Sequence, residues 1–447
     1  MTIGREFPNG SKRIPWFHIA GLLGVACWGA LAWRSHQSPD AGKLAWWLGA
    51  HVAGWILLAF AWRMVRCGLK PGLVLAWALA FRLCGLLAEP VLEDDHHRFL
   101  WDGRVFALTG DPYRKAPAEF FQDPAVEPRF QRVLDQINNP ELPTVYGPVC
   151  QVGFALGYKV APARLWPWKL LLIAAELGLL VALRRRLSEA GFLLLAWCPL
   201  AVAESSFNAH PDMLGVALMT LAWTVRSPWL AGVLAAASGG TKVFGWMVAP
   251  FVLVKSGWRA WVAFSVTLII LYAPFLRNGG RAEFASLRTM ATRWEFNSAL
   301  FALIDLMVGQ PAARLVCFIG FALLWIVVTW RWLVKLPSAP RRESLVPPGG
   351  MVFGGFLLLS ATINPWYALW LWPFVVLSPT RAGMAFLVMV TLSYCTGRNL
   401  GLESLEPFAH PGWVRPVEFG VVGVAAFWDW MRPLKNRPLD QETPGSG

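Results

Sequence analysis

Long apolar stretches that carry almost no charged side chains recur along most of this chain of 447 residues. A helix needs roughly 20 apolar residues to cross the hydrocarbon core of a membrane. Within that core every backbone polar group must find its partner inside the protein, which leaves helices and closed barrels as spanning structures. Stretches of this length predict helices, so we expect an all-α, polytopic transmembrane helical bundle.

The composition agrees with a membrane protein. Hydrophobic residues make up 56% of the chain and charged residues only 15%, whereas a soluble domain averages about 25% charged residues. The 27 tryptophans are typical of a chain that crosses the membrane–water interface many times. The net charge of +13 comes from short basic clusters beside apolar runs rather than from one polar face, which argues against nucleic acid. The expected partner is therefore the lipid bilayer.

Candidate spans can be placed from the apolar runs. Several are short and could merge, so we expect about 11–14 spans. The first run follows basic residues without a small-x-small cleavage motif, so it is interpreted as an uncleaved helix rather than a signal peptide. The candidates are 15–33, 44–64, 71–89, 168–183, 191–206, 212–226, 228–240, 242–255, 258–276, 313–333, 349–363, 366–379, 382–397 and 414–431.

The positive-inside rule gives the orientation. With both termini in the cytoplasm, every tight basic cluster beside a span falls on the cytoplasmic side, provided that 146–163 and 297–309 lie in the outer interface. The outer side then receives the loops 90–167, 277–297 and 398–413. The cytoplasmic basic residues are Arg63, Arg66, Lys70, Arg184, Arg185, Arg186, Lys255, Arg259, Lys335, Arg341, Arg342, Arg381, Arg432, Lys435 and Arg437.

An acidic cluster follows the third candidate span, in the sequence Glu93-Asp94-Asp95-His96-His97-Arg98. If the segment is helical, Asp95, Arg98 and Asp102 share one face, with Asp95 beside Arg98. They could form an exposed salt-bridge ladder, or a carboxylate base whose pKa is tuned by partial desolvation. Adjacent histidines on a helix diverge by about 100°, which argues against joint metal binding. The seven scattered cysteines indicate neither a disulfide framework nor a zinc site.

The same segment resembles a known family. Asp94-Asp-His-His-Arg98-Phe-Leu-Trp-Asp102-Gly, followed by Gly110-Asp-Pro-Tyr113, is similar to the first-loop motif D-x-x-R-Y-x-W-D-G … G-x-N-P-Y of GT-C glycosyltransferases. The resemblance is strongest to the polyprenyl-phosphate-mannose-dependent branch. Phe99 replaces the usual Tyr and Asp111 the usual Asn.

Further motifs follow in the family's order, and together they cover residues 90 to 375. Asn138-Asn139 with Pro143-Thr-Val-Tyr146-Gly-Pro148 resembles N…P-T-x-Y-x-P, and Asn208-Ala-His210-Pro-Asp212 resembles N-x-H-x-D. Lys242 lies at the lysine-bearing segment, Trp294-Glu-Phe-Asn297 resembles W-x-x-N, and Asn364-Pro-Trp366-Tyr367 resembles P-W-Y.

The resemblance implies a function and a set of roles. The chain would transfer a sugar, mannose or another hexose or pentose, from a polyprenyl-phosphate-linked donor to a lipid or glycan acceptor. The active site would face the extracytoplasmic side of the plasma (inner) membrane, and the anomeric centre would be inverted. Asp95, or Asp94 as the close alternative, would be the general base. The implied donor-phosphate and substrate-binding residues are Arg98, Lys242, Arg293, His210, Asp212, Tyr146, Trp366, Tyr367 and Asn297; a divalent metal stays possible.

Other interpretations of these residues stay open. Lys242 could snorkel, Arg293 could bind lipid headgroups, and Asp212 could be a helix N-terminal charge favoured by the dipole. Trp366 and Tyr367 could belong to an aromatic belt. At the level of the whole chain, a transporter or flippase would place ionisable groups near mid-membrane, whereas here they collect at one face. A structural or assembly protein would tolerate Asp→Asn changes in the acidic cluster.

Overall fold

The computed structural model describes residues 14–37, 42–65, 70–276, 284–335 and 345–432. These residues form helices joined by loops, and their one β-type contact is an isolated bridge between Phe296 and Thr362. The predicted all-α class is confirmed for this part of the chain. The basic residues Arg66, Arg341, Arg342, Lys435 and Arg437 of the orientation argument lie outside the described ranges.

The helices follow one another with short connections. In chain order they are α1 (Ile14–Ser35), α2 (Lys43–Val65), α3 (Pro71–Leu87), α4 (Asp95–Thr109), α5 (Pro128–Leu134), α6 (Pro148–Val160), α7 (Trp166–Leu183), α8 (Glu189–Ala196), α9 (Pro199–Val202), α10 (Asp212–Thr224), α11 (Pro228–Thr241), α12 (Ala249–Ser256), α13 (Trp258–Leu276), α14 (Phe284–Arg293), α15 (Leu300–Val308), α16 (Gln310–Lys335), α17 (Gly349–Leu359), α18 (Ala368–Leu377), α19 (Arg381–Met389), α20 (Gly397–Leu400) and α21 (Val414–Met431).

Six helical segments of the described chain are long and apolar enough to cross a membrane, as expected of a multi-pass membrane protein. They are Ile14–Ser35, Lys43–Met64, Trp166–Arg186, Glu189–Phe207, Trp258–Phe275 and Gln310–Lys335. Five further apolar helices have only 10–17 residues. Of the expected 11–14 spans, several of which were expected to be short, six are therefore long enough by themselves to cross a membrane. Helix breakers explain part of the shortfall: the predicted span 242–255 divides into a 3₁₀ turn and α12, which begins at Ala249 with a proline in its first turn.

Apolar side chains cover much of the outer surface. In the most apolar 18-residue stretch of α13, only 17% of the residues are buried inside the protein, and the same share is buried in α16. Outward-facing Ile269, Ile270, Phe318 and Trp330 are exposed. In water, apolar patches on this scale would be an aggregation hazard; lipid removes that penalty. Leu306 of α15 is also 86% exposed.

The region 90–167, predicted to be a long loop with juxtamembrane helices, contains α4, α5 and α6. Helices α4 and α6 lie against each other, with the ring of Phe99 stacked on Phe154 at a centroid distance of 5.0 Å. Gly103 permits this approach, because a Cβ there would lie 2.4 Å from the carbonyl oxygen of Phe154. The α4–α6 pair therefore holds the acidic cluster against the span bundle.

Ionisable side chains are also buried within the bundle, which corrects the expectation that they collect at one face. Arg82 of α3 forms a fully buried ion pair with Glu176 of α7, and Ser205 donates a hydrogen bond of 2.8 Å to the same carboxylate. Lys169 donates to the carbonyls of Gly85 and Ala88 at 2.9 and 2.7 Å. Each group is tolerated because it is paired. Lys169 caps the end of α3 and so steadies the segment that leads to the acidic cluster.

Candidate functional site

Asp95 and Tyr146 meet where α4 and α6 begin. The Tyr146 hydroxyl donates a hydrogen bond of 3.1 Å to Oδ2 of Asp95. The Tyr146 ring packs edge-on against Phe99, at a centroid distance of 5.1 Å, and its carbonyl accepts a hydrogen bond of 3.0 Å from the Tyr113 hydroxyl. This packing aims the phenol at the carboxylate, so the motif segments that hold Asp95 and Tyr146 lie in one place.

The surroundings of Asp95 favour a proton acceptor. Burial raises the pKa of the Asp95 carboxyl, and the charge of Asp94 adds to the increase, while His210, the Tyr146 hydrogen bond and Lys242 act in the opposite direction. Because the net pKa is raised, this carboxylate is a stronger base than an ordinary surface aspartate. The side chain stays partly accessible, as a group that meets a substrate requires.

Asp94 faces a different set of partners. It accepts a hydrogen bond of 2.6 Å from the Asn138 amide and forms an ion pair of 2.8 Å with Arg398. Both contacts tie together loops that are far apart in the chain. Of the two candidate bases, Asp94 is therefore engaged in holding the loops, whereas Asp95 faces Tyr146. Burial, followed by the charge of Asp95, raises the pKa of neighbouring Glu93 well above its ordinary value.

His210 lies in the turn that connects a π-helical segment, Ala203–Phe207, to α10. Its Nδ1 is 2.8 Å from Oε2 of Glu204, and its ring stacks on Trp366 at 3.8 Å and 18°. Its Nε2 is buried and has no hydrogen-bond partner among the described residues. The preceding residue, Ala209, has a φ of 64°, a strained conformation of the kind that concentrates at functional sites.

Asp212, Lys242 and Tyr367 form the second half of the site. Lys242 Nζ lies 2.9 and 3.1 Å from the two carboxylate oxygens of Asp212, and 4.0 Å from the centroid of the Tyr367 ring. The Trp370 indole donates to Asp212 at 2.7 Å. Asp212 is thus a paired carboxylate and not merely a helix N-terminal charge. Trp366 and Tyr367 are buried rather than part of a lipid-facing aromatic belt.

Glycines permit these segments to meet. A Cβ on Gly147 would lie 2.2 Å from the carbonyl oxygen of Gly240, and the Gly147 amide donates to Thr241 at 3.2 Å. Only glycine at position 147 leaves room for the two backbones at this distance. The contact places the segment of Tyr146 directly beside the end of α11 that carries Lys242.

Three of the predicted residues lie outside this cluster. Arg98 is turned to the backbone, where it donates to the carbonyls of Leu142, Asn138 and Asn139 at 2.9, 3.3 and 2.9 Å. The expected pairing of Arg98 with Asp95 is therefore not formed in the described part of the chain. Asn297 donates to the Glu418 carboxylate at 3.1 and 3.2 Å, and Arg293 is exposed at the end of α14.

Asp102 does share the face of α4 that holds Arg98. Burial raises the pKa of Asp102 to about 6, against the lowering effects of Arg98, Thr144 and Gln151. Gln151 donates to this carboxyl at 3.3 Å, so Asp102 belongs to the α4–α6 contact.

The rings of His96 and His97 lie together rather than apart, with centroids 3.9 Å from each other. Both residues lie in the first turn of α4, and their rings are in contact although the Cα–Cβ directions of adjacent helical residues diverge by about 100°. Burial lowers the pKa of both imidazoles. Within the described ranges no group of three or more His, Cys, Asp or Glu side chains could hold a metal ion.

Sequence reasoning missed Glu204 and Tyr394. The Tyr394 hydroxyl donates to the Glu204 carboxylate at 2.9 Å and accepts from the Asn208 amide at 3.0 Å, while Asn208 Oδ1 accepts from the Val91 amide at 3.0 Å. The sequence signal for Glu204 was its position inside the apolar run 191–206, because a carboxylate in such a run is by itself a functional candidate. The π-helical turn around it is a second such feature.

The comparisons with known proteins give no relative. The chain matches no protein-family model, and neither the curated proteins nor the solved structures show significant similarity to it.

Proposed function

We propose that this protein is a membrane glycosyltransferase that transfers a sugar from a polyprenyl-phosphate-linked donor to a hydroxyl of a lipid or glycan acceptor. One observation carries the proposal. Five separate segments bring a partly accessible aspartate, a buried histidine and a lysine together with aromatic rings, and these segments are the ones that resemble GT-C motifs. The central residues are Asp95, Tyr146, His210, Asp212, Lys242, Trp366 and Tyr367.

Asp95 is the proposed general base. As the acceptor oxygen bonds to the anomeric carbon, its proton passes to Asp95, and the bond from that carbon to the phosphate oxygen breaks. The bonding electrons leave with the polyprenyl phosphate. A single displacement of this kind inverts the anomeric centre and needs one base rather than the two carboxyl groups of glycoside hydrolysis. The raised pKa of Asp95 suits this task.

Lys242 is the proposed cation for the departing phosphate. Its side chain keeps 15% exposure, and Asp212 and the Tyr367 ring hold the ammonium in position. A fixed cation stabilises the charge that develops on the leaving oxygen. Arg98 is better understood as a loop-positioning residue, because its donors are directed at backbone carbonyls.

The donor class follows from the compartment. The distribution of basic residues in the sequence favours an extracytoplasmic position for the acidic cluster. Nucleotide sugars are absent there, and a sugar on that side would be carried on a polyprenyl phosphate. The proposal therefore includes the plasma (inner) membrane, with an active site facing outward and mannose or another hexose or pentose as the sugar.

A transporter or flippase of a lipid-linked or anionic solute is the alternative function. The sequence alone placed the ionisable groups at one face, whereas Arg82, Lys169 and Glu176 are buried within the bundle, as the alternative would require. Their mutual pairing and their bonds to backbone carbonyls favour a structural role, because a pathway needs groups that can release their partners.

The direct test is sugar transfer by the purified full-length protein in nanodiscs, with a panel of radiolabelled polyprenyl-phosphate sugars and a lipid extract as acceptor. We expect Asp95→Asn to reduce transfer by about 10²-fold or more. Asp94→Asn should retain more activity, and exposed Glu403→Gln is the matched control. Full activity in both aspartate variants would refute the assignment of the general base to this acidic cluster. Donor movement across vesicles without transfer would support the flippase.

A further inference from the structure

Asp94 occupies the N-cap position of α4 but does not cap the helix. An aspartate at this position usually accepts a hydrogen bond from an amide of the first helical turn, yet within the described part of the chain its side chain makes no such bond. Its carboxylate instead meets the Arg398 guanidinium at 2.8 Å and the Asn138 amide at 2.6 Å. A local contact is thus replaced by contacts with distant segments, which indicates that those contacts have a role.

The backbone just before Asp94 is strained. Leu92 has a φ of 66°, which is unfavourable for a residue with a bulky side chain. Such strain persists only where the surrounding contacts hold the chain in place. On the inner side, the Val91 amide donates to Oδ1 of Asn208 at 3.0 Å. The ion pair of Asp94 with Arg398 holds the outer end of the same segment.

Arg398 belongs to the C-terminal loop, residues 395–413, which is folded tightly on itself. The amides of Gly397 and Arg398 donate to the carbonyls of Ala409 and Pro407 at 3.0 and 2.9 Å. A Cβ on Gly397 would lie 2.5 Å from a carbonyl oxygen of the same loop, so only glycine permits this closure. Arg398 therefore starts from a fixed backbone, and its side chain reaches across to the acidic cluster.

The charge of Asp94 acts on the proposed base. Burial is the largest cause that raises the pKa of the Asp95 carboxyl, and the charge of Asp94 adds to it. A guanidinium 2.8 Å from Asp94 offsets part of that charge. Burial and nearby carboxylates likewise raise the pKa of Glu93, and Arg398 opposes them. The other charged or titratable groups that interact with Asp95 are Glu93, Tyr146, His210, Lys242 and Tyr367.

We propose that Arg398 is a positioning residue for the acidic cluster, which locks the C-terminal loop onto the segment before α4 and offsets the charge of Asp94 beside the proposed base. The inference rests on the proposed function for its reaction, and it goes beyond that function in giving a distant arginine a role in the proton-transfer step. No bond is made or broken at Arg398. It acts through Asp94, by keeping Asp95 directed to Tyr146 at the start of α4.

The direct test compares the two partners of the ion pair in the full-length protein in nanodiscs, with sugar transfer measured between pH 4.5 and 8. Arg398→Gln leaves the Asp94 charge uncompensated, so the acidic limb of the profile should move to higher pH. Asp94→Asn removes that charge and should move the limb to lower pH. A purely structural loss would affect both variants in the same way. In the Asp94→Asn background, Arg398→Gln should have no further effect.

The kinetic constants should separate as well. Arg398→Gln should lower kcat by about tenfold, because a misplaced catalytic group loses rate steeply with distance, while KM for the lipid-linked donor stays near that of the wild type. Arg398→Lys keeps the charge and should recover part of kcat. The matched control is Arg415→Gln, which breaks an ion pair of 2.9 Å with Glu295 just beyond the C-terminal loop. It should leave both kcat and the acidic limb unchanged.

Hydrogen exchange of the backbone amides tests the contact between the loops without any sugar transfer. Arg398→Gln and Asp94→Asn should both speed exchange in residues 89–95, whereas Arg415→Gln should not, and thermal unfolding checks that each variant is folded. Unchanged exchange there in both ion-pair variants, or acidic limbs that stay in place or move in the same direction, would overturn the inference. Faster exchange in both variants of a protein that transfers no sugar would instead refute the glycosyltransferase and keep the contact between the loops.

Discussion

The hydroxyl of Tyr146 donates a hydrogen bond of 3.1 Å to Asp95, across 51 residues of chain. This bond joins the start of α6 to the first residue of α4, and it is one of the influences that restrain the raised pKa of Asp95. Any change at Tyr146 should therefore be visible in the protonation of Asp95.

Tyr146→Phe should shift the acidic limb of the pH–activity profile upward. A base must be deprotonated to act, so the limb follows the pKa of Asp95, and loss of the hydrogen bond donated by Tyr146 raises that pKa further. The measurement is kcat/KM for sugar transfer between pH 4.5 and 8. Tyr158→Phe, at a half-buried tyrosine of α6 that packs on Phe130, is the matched control. An unchanged acidic limb in Tyr146→Phe would show that Tyr146 does not affect the pKa of the base.

Asp102 should make the folded protein less stable as pH rises through about 6. Its pKa is raised to about 6 by burial, so the folded state binds its proton more tightly than the unfolded state does. Stability from this group is complete below the unfolded pKa and falls as pH increases towards the folded one. Asp102→Asn should remove about 2–3 kcal/mol of that pH dependence. Thermal unfolding of the wild type and of Asp102→Asn at pH 4.5 and pH 7.5 measures this difference. The same change in stability with pH in both proteins would contradict the prediction.

Gly147→Ala should destabilise the fold and weaken transfer together. Its Cβ would lie 2.2 Å from the Gly240 carbonyl oxygen, so the segments of Tyr146 and Lys242 must separate. Overpacking of this kind costs about 1–3 kcal/mol. Gly412→Ala, where a Cβ meets open space, is the control for the substitution itself. A Gly147→Ala protein with wild-type unfolding temperature and activity would mean that this contact does not hold the site.

Breaking the buried Arg82–Glu176 pair should be costly, while activity per folded molecule stays unchanged. Arg82→Met leaves Glu176 buried without its cation, which should lower the free energy of unfolding by about 3–5 kcal/mol. The double variant Arg82→Met with Glu176→Leu should recover part of that lost stability. The partly exposed pair Arg381–Asp429 is the control, where Arg381→Met should cost about 1 kcal/mol or less. A mild effect of Arg82→Met on unfolding combined with lost function would instead favour a transport pathway.

The site shows which of its contacts sequence motifs could predict and which they could not. The resemblance to GT-C motifs indicated the segments around His210, Lys242 and Trp366, and the structure brings them together. Arg98 and Asn297 were selected by the same reasoning, yet their side chains bind backbone carbonyls and Glu418. A motif names positions along the chain, whereas the partner of a side chain depends on which other segment packs beside it.

By itself the sequence determined that this protein is all-α and built for a membrane, because helix formation and burial in lipid depend on local apolar length and composition. Only the tertiary structure decided which partner each aspartate of the acidic cluster has. Arg398, 304 residues away, pairs with Asp94, and Tyr146 turns to Asp95. It also decided that Glu204 holds His210. Hydrogen bonds and ion pairs act over a few ångströms, and distant segments reach that range only after the bundle has packed.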